Sequence, residues 1–152
     1  AKSVSTARNI AYDFKDLAKE FYNAGVKAVV LIGGGEPMAH PEFGTIVDYF
    51  YQNDIHVGVT SNGTMIRRYL NSLAKNTKWV RISVDAGSEE FFQKYRPHAS
   101  GKSQFKNVIQ QMKELSKIRT GKLGYSFLIL FIFVKKNKII NSNKPSSNAS
   151  YI

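Results

Sequence analysis

Short apolar runs alternate with amphipathic helical segments along most of this chain, and this alternation limits its fold more than any other feature. The runs at 28–32, 55–59, 79–84 and 123–130 are short and rich in β-branched or aromatic residues, which predicts four strands. Between them, apolar residues recur at three- and four-residue spacing, which predicts helices. Alternating strands and helices are typical of βαβ units, so the sequence predicts an α/β fold with a parallel sheet.

Two architectures remain open at this level. Four strands are too few for a complete parallel barrel, so the chain forms either an open doubly wound sheet or an incomplete barrel. The run at 28–32 is apolar throughout, which predicts a strand buried on both faces. Helices are predicted to begin at Pro41 and at Ser88 and to cover 65–73.

In both architectures ligands bind beyond the carboxyl ends of the strands, so the residues after each run are the functional candidates.

Glycine stands beside polar residues after three of the predicted strands. The segments are 33–37, 60–64 and 85–87, with Ser83 just inside the third strand. Glycine lets backbone amides and carbonyls approach a ligand, and it tolerates positive φ. Such residues also occur in ordinary turns for conformational reasons, which would explain any single segment. Three of them at the same edge of one sheet favour a ligand site.

The segment at 33–37 carries a carboxylate where phosphate-binding loops carry a cation. It lacks the Gly-Lys-Ser/Thr ending of a P-loop and does not complete the dinucleotide-binding glycine pattern. Glu36 would repel phosphate but would pair with an ammonium group, whose other N–H donors the loop carbonyls could accept. Asn62, Ser83 and Asp85 can bind the hydroxyls of a sugar, and Arg96 can bind a carboxylate. An amine, a ribose and a carboxylate occur together in S-adenosylmethionine (SAM).

Three motifs, in this order, resemble those of the radical SAM superfamily. They are Gly-Gly-Gly-Glu-Pro at 33–37, Thr-Ser-Asn-Gly at 60–63 and Arg-Ile-Ser-Val-Asp-Ala-Gly at 81–87. The resemblance covers residues 10–130 approximately. It implies an incomplete parallel (β/α) barrel, in which the four strands would be the second to fifth and SAM would bind inside at the strand tops. It also implies reductive cleavage of SAM to a 5′-deoxyadenosyl radical by a 4Fe-4S cluster.

The resemblance implies a set of SAM contacts, position by position. The loop carbonyls and the Glu36 carboxylate would hold the methionine ammonium, and Arg96 would meet the methionine carboxylate unless it is an ordinary surface arginine. Ser83 and Asp85 would contact the ribose, and apolar residues at 127–130 would face the adenine. The residues predicted to bind the cofactor are Gly33, Gly34, Gly35, Glu36, Pro37, Ser61, Asn62, Ser83, Asp85 and Arg96.

The chain has no cysteine, which excludes disulfides, thiolate nucleophiles and self-contained iron-sulfur binding. Members of the family carry Cys-x-x-x-Cys-x-x-Cys after the first barrel strand, and nothing here corresponds to it. Residues 1–9 begin where that loop should end, and the sequence starts without Met, so we expect the cluster ligands to lie upstream in a longer parent. The chain as given would then not cleave SAM. The alternative is a pseudoenzyme, an α/β module that binds SAM or another nucleotide without redox chemistry.

The charge of the chain suggests a third function class. The formal net charge is +11, and nucleic acid is the first partner that such a balance indicates. Part of this charge lies in residues 131–152, which contain lysines and no acid, and the rest is spread over helical faces. A nucleic-acid-binding domain is therefore the weaker alternative. We expect residues 1–130 to form the core domain and the Lys/Asn/Ser-rich residues 131–152 to be a disordered tail.

The sequence shows no pattern typical of a signal peptide, a membrane-spanning helix or a histidine metal site. A cationic stretch followed by an apolar segment is not found, which predicts a cytoplasmic protein without a signal peptide. The apolar run at 123–134 is too short to span a bilayer, so no membrane partner is predicted. His40, His56 and His98 lack the spacing of metal ligands. The expected partners are SAM, a peptide or small-metabolite substrate and, by family, a reductant such as a flavodoxin or ferredoxin.

Overall fold

The computed structural model describes residues 13–98 and 100–127, which form one sheet with flanking helices. The strands are β1 Ala28–Leu31, β2 His56–Ser61, β3 Trp79–Ser83 and β4 Lys122–Ser126. The helices are α1 Phe14–Asn23, α2 Phe43–Gln52, α3 Leu70–Asn76, α4 Glu89–Tyr95 and α5 Phe105–Ile118. Two short 3-10 turns, Pro37–Ala39 and Ile66–Tyr69, follow β1 and β2. In these ranges, no helix is both long enough and apolar enough to span a bilayer.

The four strands are all parallel and lie side by side in chain order, β1-β2-β3-β4. A doubly wound sheet reverses its strand order at a switch point. The described sheet has no such reversal, and each strand pairs with the strand that follows it in the chain, as in a barrel. The predicted α/β class is therefore confirmed, and of the two architectures the chain adopts the incomplete barrel.

One face of the sheet forms the core. Val57 and Val59 of β2 and Val80 and Ile82 of β3 are almost completely buried. They belong to a single apolar cluster with residues of helices α1, α2, α3 and α5. The alternate residues of the strands point to the opposite face, since side chains in a strand alternate between faces. That opposite face is more exposed: the side chain of Val30 in β1, for example, is 51% accessible.

Local signals in the sequence determine where several helices begin and end. The side chain of Asp13 accepts a hydrogen bond from the Lys15 N–H at 2.9 Å and caps the start of α1. Gly25 follows the end of the same helix with φ +81°, a conformation that glycine adopts readily after a helix. Ser88 caps α4 by accepting a hydrogen bond from the N–H of Phe91.

The strands differ from the predicted ones in extent and burial. β1 alternates between exposed and half-buried residues and is not buried on both faces, because alternate side chains such as Val30 point to the exposed face opposite the core. β2 continues to Ser61, since Thr60 and Ser61 still pair with β3. β4 ends at Ser126, and residues 128–130 of the predicted strand lie outside the described residues.

Two helices also differ from prediction. α2 begins at Phe43, after a turn in which His40 Nδ1 accepts from the Glu42 N–H at 3.2 Å, and not at Pro41. The segment predicted as one helix over 65–73 is a 3-10 turn that continues into α3. The predicted tail, residues 131–152, lies outside the described residues, so the division at 130 remains a prediction.

Candidate cofactor site

Glu36 joins the carboxyl ends of β1 and β2. Its Oε1 accepts hydrogen bonds from the Ser61 hydroxyl at 2.8 Å and from the Met38 N–H at 3.2 Å, and its Oε2 accepts one from the Asn62 N–H at 2.7 Å. The Glu36 side chain also caps the 3-10 turn that Pro37 begins. These contacts hold the carboxylate at the top of the sheet, where two neighbouring strands end.

Within the described residues, neither backbone conformation nor packing requires glycine at the positions before Glu36. A Cβ added to Gly34 or Gly35 would meet no atom within 4 Å, and neither residue has a positive φ. All three glycines of this loop are exposed. Their backbone amides and carbonyls are therefore open to a molecule that lies over the ends of the strands.

The loop after β2 is held tightly against the core. Gly63 has φ +80°, and a Cβ there would come within 2.8 Å of the Ile82 side chain. The Ser61 hydroxyl, in a residue only 3% exposed, donates to Glu36 and accepts from the Gly63 N–H at 2.9 Å. The side-chain oxygen of Asn62 accepts from the N–H and the hydroxyl of Thr64. Ser61 therefore positions Glu36, a role that its prediction as a cofactor-binding residue does not include.

Asp85 and Arg96 pair with each other at the end of β3. The Arg96 guanidinium donates to the Asp85 carboxylate and forms an ion pair with it. Asp85 has φ +52°, a left-handed conformation that is uncommon for residues other than glycine and is often found at functional sites. Arg96 lies at the C-terminal end of α4, directly after its last residue.

Two neighbouring cavities open at these strand ends. The first has a volume of about 500 Å³ and contains most of the predicted residues: its lining is Ile32, Gly33, Gly34, Gly35, Glu36, Thr60, Ser61, Asn62, Ser83 and Arg96. The second has a volume of about 540 Å³, and Asn62 and Arg96 line both cavities. Asp85 faces the second cavity together with the aromatic side chains of Phe91 and Tyr95. Pro37 lines neither cavity.

Several residues that line these cavities are not predicted from the sequence. Thr60 and Ile32 are predicted only as parts of strands or strand ends, and the aromatic residues of α4 are not predicted to line a cavity. The alternation of side chains along β2 places Thr60 on the same face as the cavity once the strand is extended to Ser61. For Phe91 and Tyr95, about one helical turn apart, the four-residue spacing is the only signal.

Metal ligands are not assembled in this part of the chain. Within residues 13–98 and 100–127, no three His, Asp or Glu side chains come together in a group that could hold a metal ion. His40 and His98 instead accept hydrogen bonds from backbone N–H groups two residues away.

A comparison with protein families decides the assignment. The sequence profile of the radical SAM superfamily matches residues 10–141, which is most of the chain. The chain belongs to the radical SAM superfamily. Membership implies SAM and a 4Fe-4S cluster as the cofactors of the family's chemistry, although this radical SAM chain contains no cysteine.

A solved structure is similar in fold to this radical SAM chain. One similar structure is "Crystal structure of archaeal TYW1", with a TM-score of 0.50 and 16% sequence identity. The match covers 76% of this chain and 43% of that chain, so the present chain spans less than half the length of the TYW1 protein. A second, "Structure of TYW1 with a lysine-pyruvate adduct bound", has a TM-score of 0.49, 17% identity and coverages of 74% and 40%. Curated protein sequences gave no match.

Proposed function

We propose that this chain forms the SAM-binding part of a radical SAM enzyme. The observation that carries the proposal is the position of the Glu36 carboxylate, held between the ends of β1 and β2 beside an exposed loop of three glycines. A fixed negative charge next to open backbone carbonyls suits a ligand with a primary ammonium group. Family membership supports SAM as that ligand.

The hydrogen bonding of Glu36 is compatible with this role. A carboxylate offers about four acceptor positions. Three donors of the protein occupy part of this capacity, two on Oε1 and one on Oε2. The Oε2 atom therefore keeps an acceptor position for the SAM ammonium, while the carbonyls of Gly34 and Gly35 accept its other N–H groups.

The remaining contacts follow from the lining of the first cavity. Ser83 and Asn62 would bind ribose hydroxyls, and Asp85, two residues after the end of β3, would do so from the adjoining cavity. Arg96 lines both cavities and would bind the methionine carboxylate. A guanidinium has five N–H donors, so its pairing with Asp85 leaves donors for a second carboxylate. Asp85 would then also fix the direction of Arg96.

The iron-sulfur cluster cannot be held by this chain, because the chain has no cysteine. We propose that the cluster ligands belong to a longer parent. Held there, a 4Fe-4S cluster would supply the electron for reductive cleavage of SAM to a 5′-deoxyadenosyl radical. The residues of this chain bind and orient SAM. The substrate would be a peptide or a small metabolite, the reductant a flavodoxin or ferredoxin, and the setting the cytoplasm.

Replacement of Glu36 tests the proposal. Glu36→Gln removes the negative charge and directs an amide N–H₂ toward the donors of the loop, so SAM binding should weaken by roughly tenfold or more, as expected when a charged hydrogen bond is lost. Isothermal titration calorimetry of the 152-residue chain with SAM measures the affinity.

Two variants serve as controls. Glu42→Gln removes an exposed carboxylate that makes no capping contact at the start of α2, and it should leave SAM affinity unchanged. Ser61→Ala removes one of the three hydrogen bonds to the Glu36 side chain but keeps the negative charge, and its loss of SAM affinity should be smaller than that of Glu36→Gln. An unchanged affinity in Glu36→Gln would remove Glu36 from the site, and a wild-type chain that does not bind SAM would overturn the proposal.

The absence of cysteine favours a second candidate, a SAM-binding module without redox chemistry. The reading frame around this segment in its source DNA distinguishes the two. A Cys-x-x-x-Cys-x-x-Cys segment upstream and in frame would support the radical enzyme. An intact frame without these cysteines would leave SAM binding alone.

A further inference from the structure

The open face of the sheet, opposite the helices, has an ordered set of side chains. The parallel register aligns Gly58 with Trp79, Thr60 with Arg81, and Ser83 with Ser126. Aligned residues in neighbouring strands share a face. The residues of this open face are Ala28, Val30, His56, Gly58, Thr60, Trp79, Arg81, Ser83, Lys122, Gly124 and Ser126. These strand residues include the cations of Arg81 and Lys122 and no acid.

In the described part of the chain, Arg81 has no acidic partner. Its one hydrogen bond runs from Nη2 to the Thr60 hydroxyl at 3.3 Å, and the residue is exposed. All acidic side chains of the 152-residue sequence lie within the described ranges, and none is within 4.0 Å of the Arg81 guanidinium. Arg81 thus lies in an inner strand, with β2 and β4 on either side of it, and its guanidinium forms no ion pair within the described residues.

Arg81 lies directly below the first cavity. Its register partner Thr60 and its neighbour on the same face, Ser83, both line that cavity. Residues two apart in a strand are separated by roughly 6.6 Å, so the Arg81 backbone is about that far below Ser83. On its other side, the register partner is Gly124, which has no side chain to cover the guanidinium. The rigid ring of Trp79 lies two residues further down the same strand.

We infer that Arg81 binds an anionic group, a carboxylate or a phosphate, of the substrate of this enzyme. This inference rests on the proposed function, since it takes the first cavity as the SAM site. The planar guanidinium matches an oxyanion with two parallel hydrogen bonds, and the Thr60 hydroxyl adds a third donor. An anion held there would fix the substrate on the open face, below the cofactor and against the Trp79 ring.

Trp79 provides a direct measurement, because it is the only tryptophan of the chain and shares the open face with Arg81. Its fluorescence is followed while inorganic phosphate or acetate is added at constant ionic strength, with chloride as the reference salt. Wild type should show a saturable change with at least one of the two anions. The anion that binds more tightly identifies the group as phosphate or carboxylate.

Variants assign the response to one residue. Arg81→Gln should weaken the anion affinity by roughly tenfold or more, because a charged donor pair is lost. Arg81→Lys keeps the charge without the planar fork and should give an intermediate affinity. Arg68→Gln removes an exposed arginine that lies over the Tyr69 ring on the helical side, and its response should equal that of wild type.

SAM titrations of the same variants separate this inference from the proposed function. Arg81→Gln should bind SAM as wild type does. The inference is overturned if wild type shows no saturable anion response, if Arg81→Gln and Arg81→Lys respond as wild type, or if Arg81→Gln loses SAM affinity, which would assign Arg81 to the cofactor. A wild-type chain that binds anions through Arg81 but does not bind SAM would instead overturn the proposed function.

Discussion

The ring of Trp79 lies across the backbone of Gly58 on the open face of the sheet. A Cβ added to Gly58 would come within 2.3 Å of two atoms of the indole. Because the indole is rigid, Gly58→Ala must displace the ring or shift β2 against β3. We expect the free energy of unfolding to fall by about 1–3 kcal/mol, as is typical of overpacking. Urea denaturation followed by Trp79 fluorescence measures the loss.

Gly124→Ala is the matched control for this substitution. Gly124 is on the same face, in β4, and a Cβ there would meet nothing within 4 Å. Its free energy of unfolding should change by less than about 0.5 kcal/mol. Equal losses in the two variants would show that the space occupied by the Trp79 ring does not explain the effect at Gly58.

The function of a single residue can be predicted from sequence when its chemistry and its position at a strand end are enough to indicate its ligand. Glu36 is one, because a carboxylate after a glycine run is incompatible with phosphate, and the structure brings it together with Ser61 and Asn62. The contacts themselves are not predictable, since they join residues about a strand–helix unit apart. The Asp85–Arg96 pair escapes prediction because the sequence assigns each residue to a different part of SAM.

At the level of elements, an ion pair ties α5 to the 3-10 turn after β2. Arg67 Nε and Nη2 donate to Glu114 Oε2 and Oε1 at 2.7 and 2.6 Å. The hydrogen bond from Arg67, aided by one from Gln110, lowers the pKa of Glu114 from its ordinary 4.5 to about 2. The buried amide of Gln111 bonds the same segment, at the Arg67 N–H and the Thr64 carbonyl.

The lowered pKa of Glu114 predicts an acid-sensitive contribution to stability. A carboxylate whose pKa falls on folding stabilises the native state above the unfolded pKa, and the effect is lost as pH falls through the folded pKa. The contribution should therefore disappear between pH 4.5 and about 2. In urea denaturation between these pH values, the free energy of unfolding of wild type should fall by more than that of Glu114→Gln, which lacks the titrating carboxylate. Because the pair is partly solvated, added salt should reduce it.

Glu20→Gln is the control for this pH series, because Glu20 is an exposed carboxylate of α1 with no ion pair in the described structure. Its pH curve should follow that of wild type. If the Glu114→Gln curve also followed wild type, the ion pair would not contribute to stability in solution.

Most helices and strands are predictable from the sequence. Their periodic patterns extend over more residues than the error in the position of their ends. The helical period of α5 and the β-branched run of β3 each identify one element. Errors arise where a local signal competes with pairing. Thr60 and Ser61 are polar and precede a turn, yet hydrogen bonds to β3 keep them in β2. Pro41 suggests a helix start, but the preceding turn delays α2 to Phe43.

At the scale of the whole molecule, burial depends on neighbours that a single strand pattern does not specify. The run at 28–32 has the composition of a strand buried on both faces, yet Val30 and Ile32 are 51% and 60% exposed in β1 and its end. The other edge strand, β4, is followed by the exposed ring of Phe127, and its own Tyr125 is also exposed. The sheet therefore presents apolar side chains at both edges, which favours association between copies.

We expect the 152-residue chain to self-associate with increasing concentration through the edge at β1, and Val30→Lys to shift it toward the monomer. A lysine at an edge strand opposes pairing with a second sheet, because burying its charge is unfavourable. Sedimentation velocity over a series of concentrations measures the change in mass.

Tyr51→Lys is the matched control, since Tyr51 is exposed to a similar degree, 55%, but lies on α2 away from the sheet. If both variants reduced association equally, added charge and not the position at β1 would be responsible. A wild-type chain that is monomeric at every concentration would show that the exposed edge is not an associating surface.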